Sequence, residues 1–573
     1  METHDLLQHY LGDFGTFQQY TTLLAILVAP NFGVTVVAMT FLMATPEHHC
    51  RVNEPGSSGE HRLSPESLNH SIPLENLNGR SVYSSCLMYV QTNETKTGEN
   101  RTITSCTHGY LYDQSQYRST IVTEHDLVCE RTWLNEMGKS VFFVGSSLGS
   151  IVSGIAADRF GRHPTTLLFL LLHLVFGVGA AFATDYVTFV ILRALVGAAG
   201  IGFYFTSLVI AIEIAGPSKR NAVGMASVAS CAFGYVILGF LAYLIRDWWT
   251  LQLAQALMTA PFLCYWWLLS ESPRWLLTNN RVDEAKAVIQ RAAKMNKVVI
   301  PHDAIFGETE KLSNDSEEDS SRQYGVLDLF RKPRIRKTTM TMCISWFAEG
   351  CVYFGLILAS VEWAGNPYLN FILGSLLEVF LSAVSLAAME RWGRKPVIGG
   401  TVLVAGTCSM VSAMTKAGFP TVSRGFALVG RGAIGISFLS LIVYTPEVFP
   451  TVVRGTGLGL ANMCSRLGSV LTPFVSLLGD VWQPLPMVTF GTLCFVASLA
   501  IYTLPETLGV PLPDTLEDSE NFGRKQLHSD EIKDVSYTNP WPIPTPMKYT
   551  RRLVVFYQTA RDGDFFRSSL VLK

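Results

Sequence analysis

The chain has 573 residues, 49% of them hydrophobic and 16% charged, and a formal net charge of -2. Its mean hydropathy of +0.27 lies on the apolar side of ordinary soluble proteins, so lipid is the expected solvent for much of it. A nucleic-acid partner is excluded, because phosphate binding needs a basic surface that this composition does not supply.

In chain order, residues 1–20 form a polar, acidic start without the pattern of a cleavable signal peptide. Apolar stretches follow at 21–44, 140–157, 166–183, 187–212, 221–245 and 251–269, then at 338–360, 366–389, 397–414, 422–446, 455–478 and 486–504. A hydrocarbon layer of about 30 Å asks for about 20 apolar residues per helix, so each stretch is long enough to span.

Between the first two stretches lies 45–138, far longer than an ordinary connection and therefore expected to be a folded or functional insert. It holds Cys50, Cys86, Cys106 and Cys129, four of the eleven cysteines. An even number suits disulfides in an oxidising compartment, although four cysteines allow three pairings and free thiols in a disordered loop are the bland alternative. The same loop carries glycan acceptor sequons at Asn69, Asn93 and Asn100. A fourth, at Asn314, falls in the linker expected to be cytoplasmic, where no glycan could be added.

Basic residues gather after alternate spans, as Arg159 and Arg162, Lys219 and Arg220, Arg331 to Lys337, and Arg391, Arg394 and Lys395. The positive-inside rule makes that side cytoplasmic and places both termini there, with the first loop outside. The linker 270–337 is polar, with an acidic run at 314–319 and a stretch of helix expected around 282–294. The tail 505–573, with alternate prolines from Pro540 to Pro546, is expected to be cytoplasmic and mostly disordered.

Charged marks repeat at nearly one offset. Asp158-Arg159-Phe160-Gly161-Arg162 is answered by Glu390-Arg391-Trp392-Gly393-Arg394, Arg193 and Gly197 by Arg431 and Gly435, and Glu213 and Arg220 by Glu447 and Arg454. Ser270-Glu271-Ser272-Pro273-Arg274 is answered by Pro505-Glu506-Thr507. Two six-helix halves, 21–269 and 338–504, follow from that repeat. Asp158, Arg159, Arg162, Glu213, Arg220, Glu390, Arg391, Arg394, Glu447 and Arg454 are expected to act as gating charges, pairing across the interface between halves in one conformation and parting in the other. Simple anchoring of the cytoplasmic ends is the bland reading. Gly149, Gly154, Gly197, Gly200 and Gly202 are read as sites of close helix packing.

Charge in the middle of a span is costly and usually faces a wet path. Glu378 and Arg466 stand centrally in the eighth and eleventh spans, and Glu349 in the seventh lies near Trp346, Phe347, Tyr353 and Phe354. A carboxylate among aromatic rings suits an ammonium group, and an arginine suits a carboxylate. Tyr204 on the fourth span joins Arg466, Glu378, Glu349, Tyr353 and Phe354 as a candidate substrate contact. Mutual neutralisation inside the bundle is the bland alternative for Glu378 and Arg466.

Gly12-Asp13-Phe14-Gly15-Thr16-Phe17-Gln18, the loop start Thr45-Pro46-Glu47-His48-His49-Cys50 and Glu271-Ser272-Pro273-Arg274-Trp275-Leu276-Leu277 together resemble the major facilitator superfamily, and within it the organic cation, anion and carnitine transporters of solute carrier family 22. The resemblance runs from about Asp5 to Gly509, with Ser270 where the family usually has proline. It implies an all-α polytopic membrane protein of twelve transmembrane helices in two pseudo-symmetric halves, working by alternating access at the plasma membrane.

In that family the arginine matched by Arg466 marks the anion and carnitine branches, and the acid matched by Glu378 marks the cation and carnitine branches. Carnitine-like zwitterions or organic anions are therefore the expected substrates. An organic cation transporter, a sugar-porter-like carrier and a non-transporting receptor are the alternatives. No Walker-type loop, metal-spaced cluster or nucleophile motif points to an enzyme. No cofactor is expected beyond a coupling ion, Na+ or H+, or a counter-anion, and a homo-oligomer is compatible with the sequence.

Overall fold

The structure is a computed structural model and describes residues 12–52, 70–77, 80–90, 102–216, 219–298, 325–510, 513 and 515–521. Asn69, Asn93, Asn100 and Asn314, the acidic run and the tail beyond 521 lie outside the described residues.

The spanning elements are α1 (Thr16–Val36), α2 (Thr132–Phe160), α3 (Arg162–Ala181), α4 (Tyr186–Ile214), α5 (Arg220–Leu244), α6 (Trp248–Leu257), α7 (Pro333–Ala359), α8 (Pro367–Trp392), α9 (Arg394–Thr415), α10 (Pro420–Val448), α11 (Arg454–Ser476) and α12 (Leu485–Tyr502). Among the described residues, ten helices are long and apolar enough to cross a membrane. The other two, α6 and α11, depart for visible reasons. The sixth span is one stretch in the sequence, but the chain breaks it into α6, a 3-10 stretch Ala260–Cys264 and a helical turn Tyr265–Leu268. Pro261 within it lacks the amide a continuous helix needs. In α11, Asn462, Arg466 and several glycines lower the hydropathy, as expected of a helix beside a polar path.

Local signals set the helix starts. The Asp185 carboxylate accepts from Thr188 N at 2.8 Å to begin α4, and the Asn366 side chain accepts from Leu369 N at 3.1 Å to begin α8. Pro333, Pro367 and Pro420 occupy first-turn positions where an amide would be idle.

The halves α1–α6 and α7–α12 carry the same corner at the end of the bundle nearest the linker. Gly161 (φ +105°) joins α2 to α3, and Gly393 (φ +91°) joins α8 to α9. A Cβ at these positions would lie 2.4 Å from Glu271 Oε2 and 2.8 Å from Glu506 Oε2, respectively. Each acid sits in the N-terminus of the following helix. Glu271 accepts from Arg162 N (3.1 Å) and His163 N (3.0 Å), and Glu506 from Arg394 N (2.9 Å) and Lys395 N (3.0 Å).

Beyond α6, the expected linker helix is Val282–Asn296, which buries Ala285, Ile289, Ala292 and Ala293 along one face. Asn296 Oδ1 accepts from Phe17 N at 2.8 Å and fastens this helix to the start of α1.

The first loop departs from an all-α reading. It contains three antiparallel ribbons: β1 (His48–Cys50) with β6 (Tyr110–Tyr112), β2 (Leu74–Leu77) with β3 (Arg80–Tyr83), and β4 (Leu87–Tyr89) with β5 (Ile103–Ser105). Disulfides Cys50–Cys106 and Cys86–Cys129 settle the pairing that the spacing left open. They staple ribbons too short to be stable alone. The segment after β6 lies on the bundle. Arg246 Nη1 donates to Ser115 O (3.0 Å), Tyr368 Oη of α8 to Gln116 O (2.6 Å) and Trp248 N to Ser119 O (3.2 Å).

The halves meet through α2 against α11, where Ser140 Oγ donates to Val470 O at 2.8 Å, and through α5 against α8. At the loop end, Phe41 stacks on Tyr368 (5.5 Å) and meets Phe371 edge-on (4.9 Å). Nearer the linker, Met225 of α5 packs with Met389, Val397 and Leu439 of the second half.

Candidate functional site

Midway along the bundle, α11 directs Arg466 toward the first half. Its side chain is partly accessible and makes no hydrogen bond or ion pair with a described residue. Its electrostatic neighbours are Tyr204 of α4 and Tyr235 and Cys231 of α5. Tyr204 is buried and stacked on Phe32 of α1 at 4.8 Å. A guanidinium facing three neutral groups across the interface has its donors available for a ligand oxygen.

Glu378 of α8 is next in this arrangement. Its Oε1 accepts a short hydrogen bond from the Tyr353 hydroxyl, which lies 3.3 Å from the Tyr235 hydroxyl. Its Oε2 is 3.8 Å from Arg431 Nη2 and, among the described residues, accepts no hydrogen bond. Arg431 is fully buried, donates to Ser375 Oγ (2.9 Å) and Phe371 O (3.4 Å), and lies over the Phe371 ring at 5.2 Å. Glu378 is thus already partnered by a cation, the arrangement named above as its bland alternative, while one oxygen keeps acceptor capacity. Tyr353 is stacked on Phe438 of α10 at 4.7 Å, so a ring face borders the same place.

The structure therefore brings together Arg466, Tyr204, Tyr353 and Glu378 through Tyr235. Phe354 is adjacent but serves the interface, packing on Phe143 of α2 at 4.9 Å. Glu349 does not join them. It is fully buried, Oε1 accepts from Ser437 Oγ of α10 at 2.6 Å, and Oε2 has no partner among the described residues. The helix turns this face of α7 toward α10 and α12, and depth in the span does not reveal direction. Tyr235, Phe438 and Phe32 escaped the sequence reading because an aromatic ring inside an apolar span is usually packing; the signal for Tyr235 is a hydroxyl in an otherwise apolar run.

The expected gating charges pair within halves in this conformation, not across the interface. Arg162 Nη2 lies 3.1 Å from Asp158 and 3.2 Å from Glu213, and Arg394 lies 3.1 Å from Glu447. The reason is the corner itself, which brings the start of α3 beside the end of α4, and the start of α9 beside the end of α10. Arg220 Nε donates to Ala215 O (3.4 Å) and Arg454 Nε to Phe449 O (3.4 Å). Arg159 lies over Phe160, and Glu390 and Arg391 are exposed. In the loop, His48, Cys86 and Cys129 are close enough to share a metal, but the two sulfurs are bonded to each other and offer no thiolate.

The family described as "Sugar (and other) transporter" matches residues 87–517. The chain is 36% identical over 539 residues to an organic cation transporter protein of Drosophila melanogaster, covering 91% of this chain and 95% of that one. It is 33% identical over 533 residues to the organic cation/carnitine transporter 2 of Homo sapiens (90% and 94% covered), and 34% identical over 548 residues to solute carrier family 22 member 21 of Mus musculus (92% and 95%). Among solved structures, the inward-open xylose transporter of E. coli superposes with a TM-score of 0.57 at 15% identity, covering 87% of this chain and 98% of that one. That likeness establishes the fold, and the motif corners and sequence identities establish the group: the chain belongs to the major facilitator superfamily of transporters and, within it, to solute carrier family 22.

Proposed function

We propose that the protein carries small organic ions bearing a carboxylate, carnitine-like zwitterions or organic anions, by alternating access at the plasma membrane. Arg466 supports this best: it is a guanidinium between the halves with no acidic partner among the described residues. A substrate carboxylate supplies the missing charge through two hydrogen bonds. An ammonium end fits the faces of Tyr353 and Phe438 and the acceptor left on Glu378. The basic ends and linker are taken as cytoplasmic with both termini, and the disulfide-bonded loop with its sequons as outside.

The name of the Drosophila relative favours a second reading, an organic cation carrier. Labelled carnitine, benzoate and tetraethylammonium uptake into cells expressing wild type, Arg466→Ala and Glu378→Gln separates the two. Carnitine uptake should fall at least about tenfold in Arg466→Ala, the loss expected for a bidentate charged pair. Tetraethylammonium uptake that survives Arg466→Ala, with no carnitine uptake in wild type, would establish the cation reading. Counterflow in proteoliposomes separates a carrier from a receptor, which binds without exchange.

A further inference from the structure

The eleven cysteines fall into three kinds. Four are used in the loop disulfides, and Cys231, Cys351, Cys408 and Cys494 are buried. Cys264, Cys343 and Cys464 are free and half-buried. Cys264 lies in the broken sixth span of the first half, while Cys343 and Cys464 are hydrogen-bonded to each other across the seam between α7 and α11.

The fold explains that meeting. Both helices run away from the linker end, and each cysteine is the eleventh residue of its helix, so both lie about 15 Å along at about 1.5 Å per residue. One turn further on, the two backbones come into direct contact. A Cβ on Gly468 of α11 would strike Phe347 O, and one on Gly350 of α7 would strike Ser465 O. Beyond them, Thr472 Oγ1 donates to Cys351 O at 3.0 Å and closes the seam.

The pair opens away from the solute path. Ile344 beside Cys343 and Met340 one turn before it are exposed, as are Met463 beside Cys464 and Leu467 one turn after it. Apolar side chains left bare on spanning helices face the hydrocarbon layer. Arg466, two residues past Cys464, is turned about 200° around α11 and faces the first half.

Two free thiols in mutual reach form a chelate for a soft centre that bonds sulfur twice. Once the first bond forms, the second sulfur is already in place and its bond closes within the molecule. The bridge would also have a mechanical effect. Tyr353 belongs to α7 and Arg466 to α11, so tying these helices fixes the spacing of two groups proposed to meet the solute.

We infer that Cys343 and Cys464 form a dithiol site for trivalent arsenicals arriving from the lipid, and that filling it slows transport without entering the solute path. With a hydrated aryl arsenoxide, each sulfur–arsenic bond replaces an arsenic–hydroxyl bond, and the thiol proton leaves with that hydroxide as water. Two waters are released, arsenic stays trivalent and no oxidant is needed. The slowing rests on the transporter reading above, whereas the site does not.

The test treats the full-length chain in liposomes with phenylarsine oxide and reads the digest by mass. The peptides holding Cys343 and Cys464 should be recovered joined through one phenylarsenic unit. 2,3-Dimercaptopropanol should release them, and the same concentration of thiol supplied as 2-mercaptoethanol should not. Cys343→Ser and Cys464→Ser should each abolish the adduct that resists the monothiol, and Cys264→Ser should keep it. Counterflow of whichever of carnitine, benzoate or tetraethylammonium is carried should fall about tenfold in treated wild type, with half-saturation unchanged, and less than about twofold in Cys343→Ser or Cys464→Ser. No joined peptide from wild type, or a monothiol-resistant adduct in both serine variants, would overturn the site. Equal slowing in wild type and those variants would overturn the inhibition. Absence of counterflow for all three probes is the failure of the transporter reading; the inhibition falls with it, and the adduct still decides the site.

Discussion

The two halves share their corners and differ in their interiors. Gly161 with Glu271 and Gly393 with Glu506 make the same turn by the same bonds, and Arg162–Glu213 repeats as Arg394–Glu447. One turn further into the repeat the likeness becomes partial. Arg193 and Arg431 are both fully buried, and each lies over a phenylalanine, Phe142 at 5.0 Å and Phe371 at 5.2 Å. Arg193, however, donates to neutral acceptors, Gln252 Oε1 (3.0 Å) and Thr35 O (3.3 Å), whereas Arg431 faces Glu378. Around Arg193 the polar groups are uncharged: Asn31 Nδ2 donates to Thr259 Oγ1 (2.9 Å), and His173 Nδ1 lies 2.9 Å from that same hydroxyl. A duplicated frame holds each half together, while Glu378 and Arg466 both stand in the second half, so the charged groups proposed to meet the solute come from one copy of the repeat.

Removing the buried cations tests that difference most severely. Arg431→Gln strands the Glu378 carboxylate and should cost about 3 to 5 kcal/mol, read as a lowered Tm of the purified chain. Arg193→Gln strands no acid and should cost about 1 to 3 kcal/mol. The double variant Glu378→Gln/Arg431→Gln should recover most of the first loss, and equal losses in the two single variants would erase the distinction. Next in size come the corners, where Gly161→Ala and Gly393→Ala should each cost about 1 to 3 kcal/mol through positive φ and contact with the capping acid. Unequal Tm losses there would show that the repeat is not mechanically equivalent.

The smallest effect belongs to the loop, which has no counterpart between α7 and α8. Burial holds the His48 imidazole below its usual 6.5, opposed by its hydrogen bond to the Pro46 carbonyl. The folded loop resists protonation, so this contribution is present above 6.5 and is lost as pH falls through the lower folded value. Limited proteolysis of the intact chain should cut the loop faster at about pH 5 than at about pH 7.5, and His48→Gln should reduce that difference.

Much of the frame was legible because the features that build it are local and repeated. Apolar runs of spanning length gave the helices, and the glycine between charged residues marked each corner. The break in the sixth span was not legible, since Pro261 in an apolar run reads equally as a kink or a continuous span. For the site, depth was readable and direction was not. Glu378, Arg466 and Glu349 look alike in sequence as central charges, yet one is paired, one is open and one is sealed. Whether the marks at helix ends pair within or between halves depends on tertiary placement, which charge patterning does not encode.

The hold of Tyr368 on the Gln116 carbonyl, with Arg246 on Ser115, has a kinetic consequence. Tyr368 belongs to the second half and Arg246 to the first, so one strip of loop bridges the two halves at that end. With that end outside, as proposed, each outward opening has to peel that strip from one of them. An antibody fragment that grips the stapled loop would therefore act as a brake on turnover without ever reaching the path of the solute.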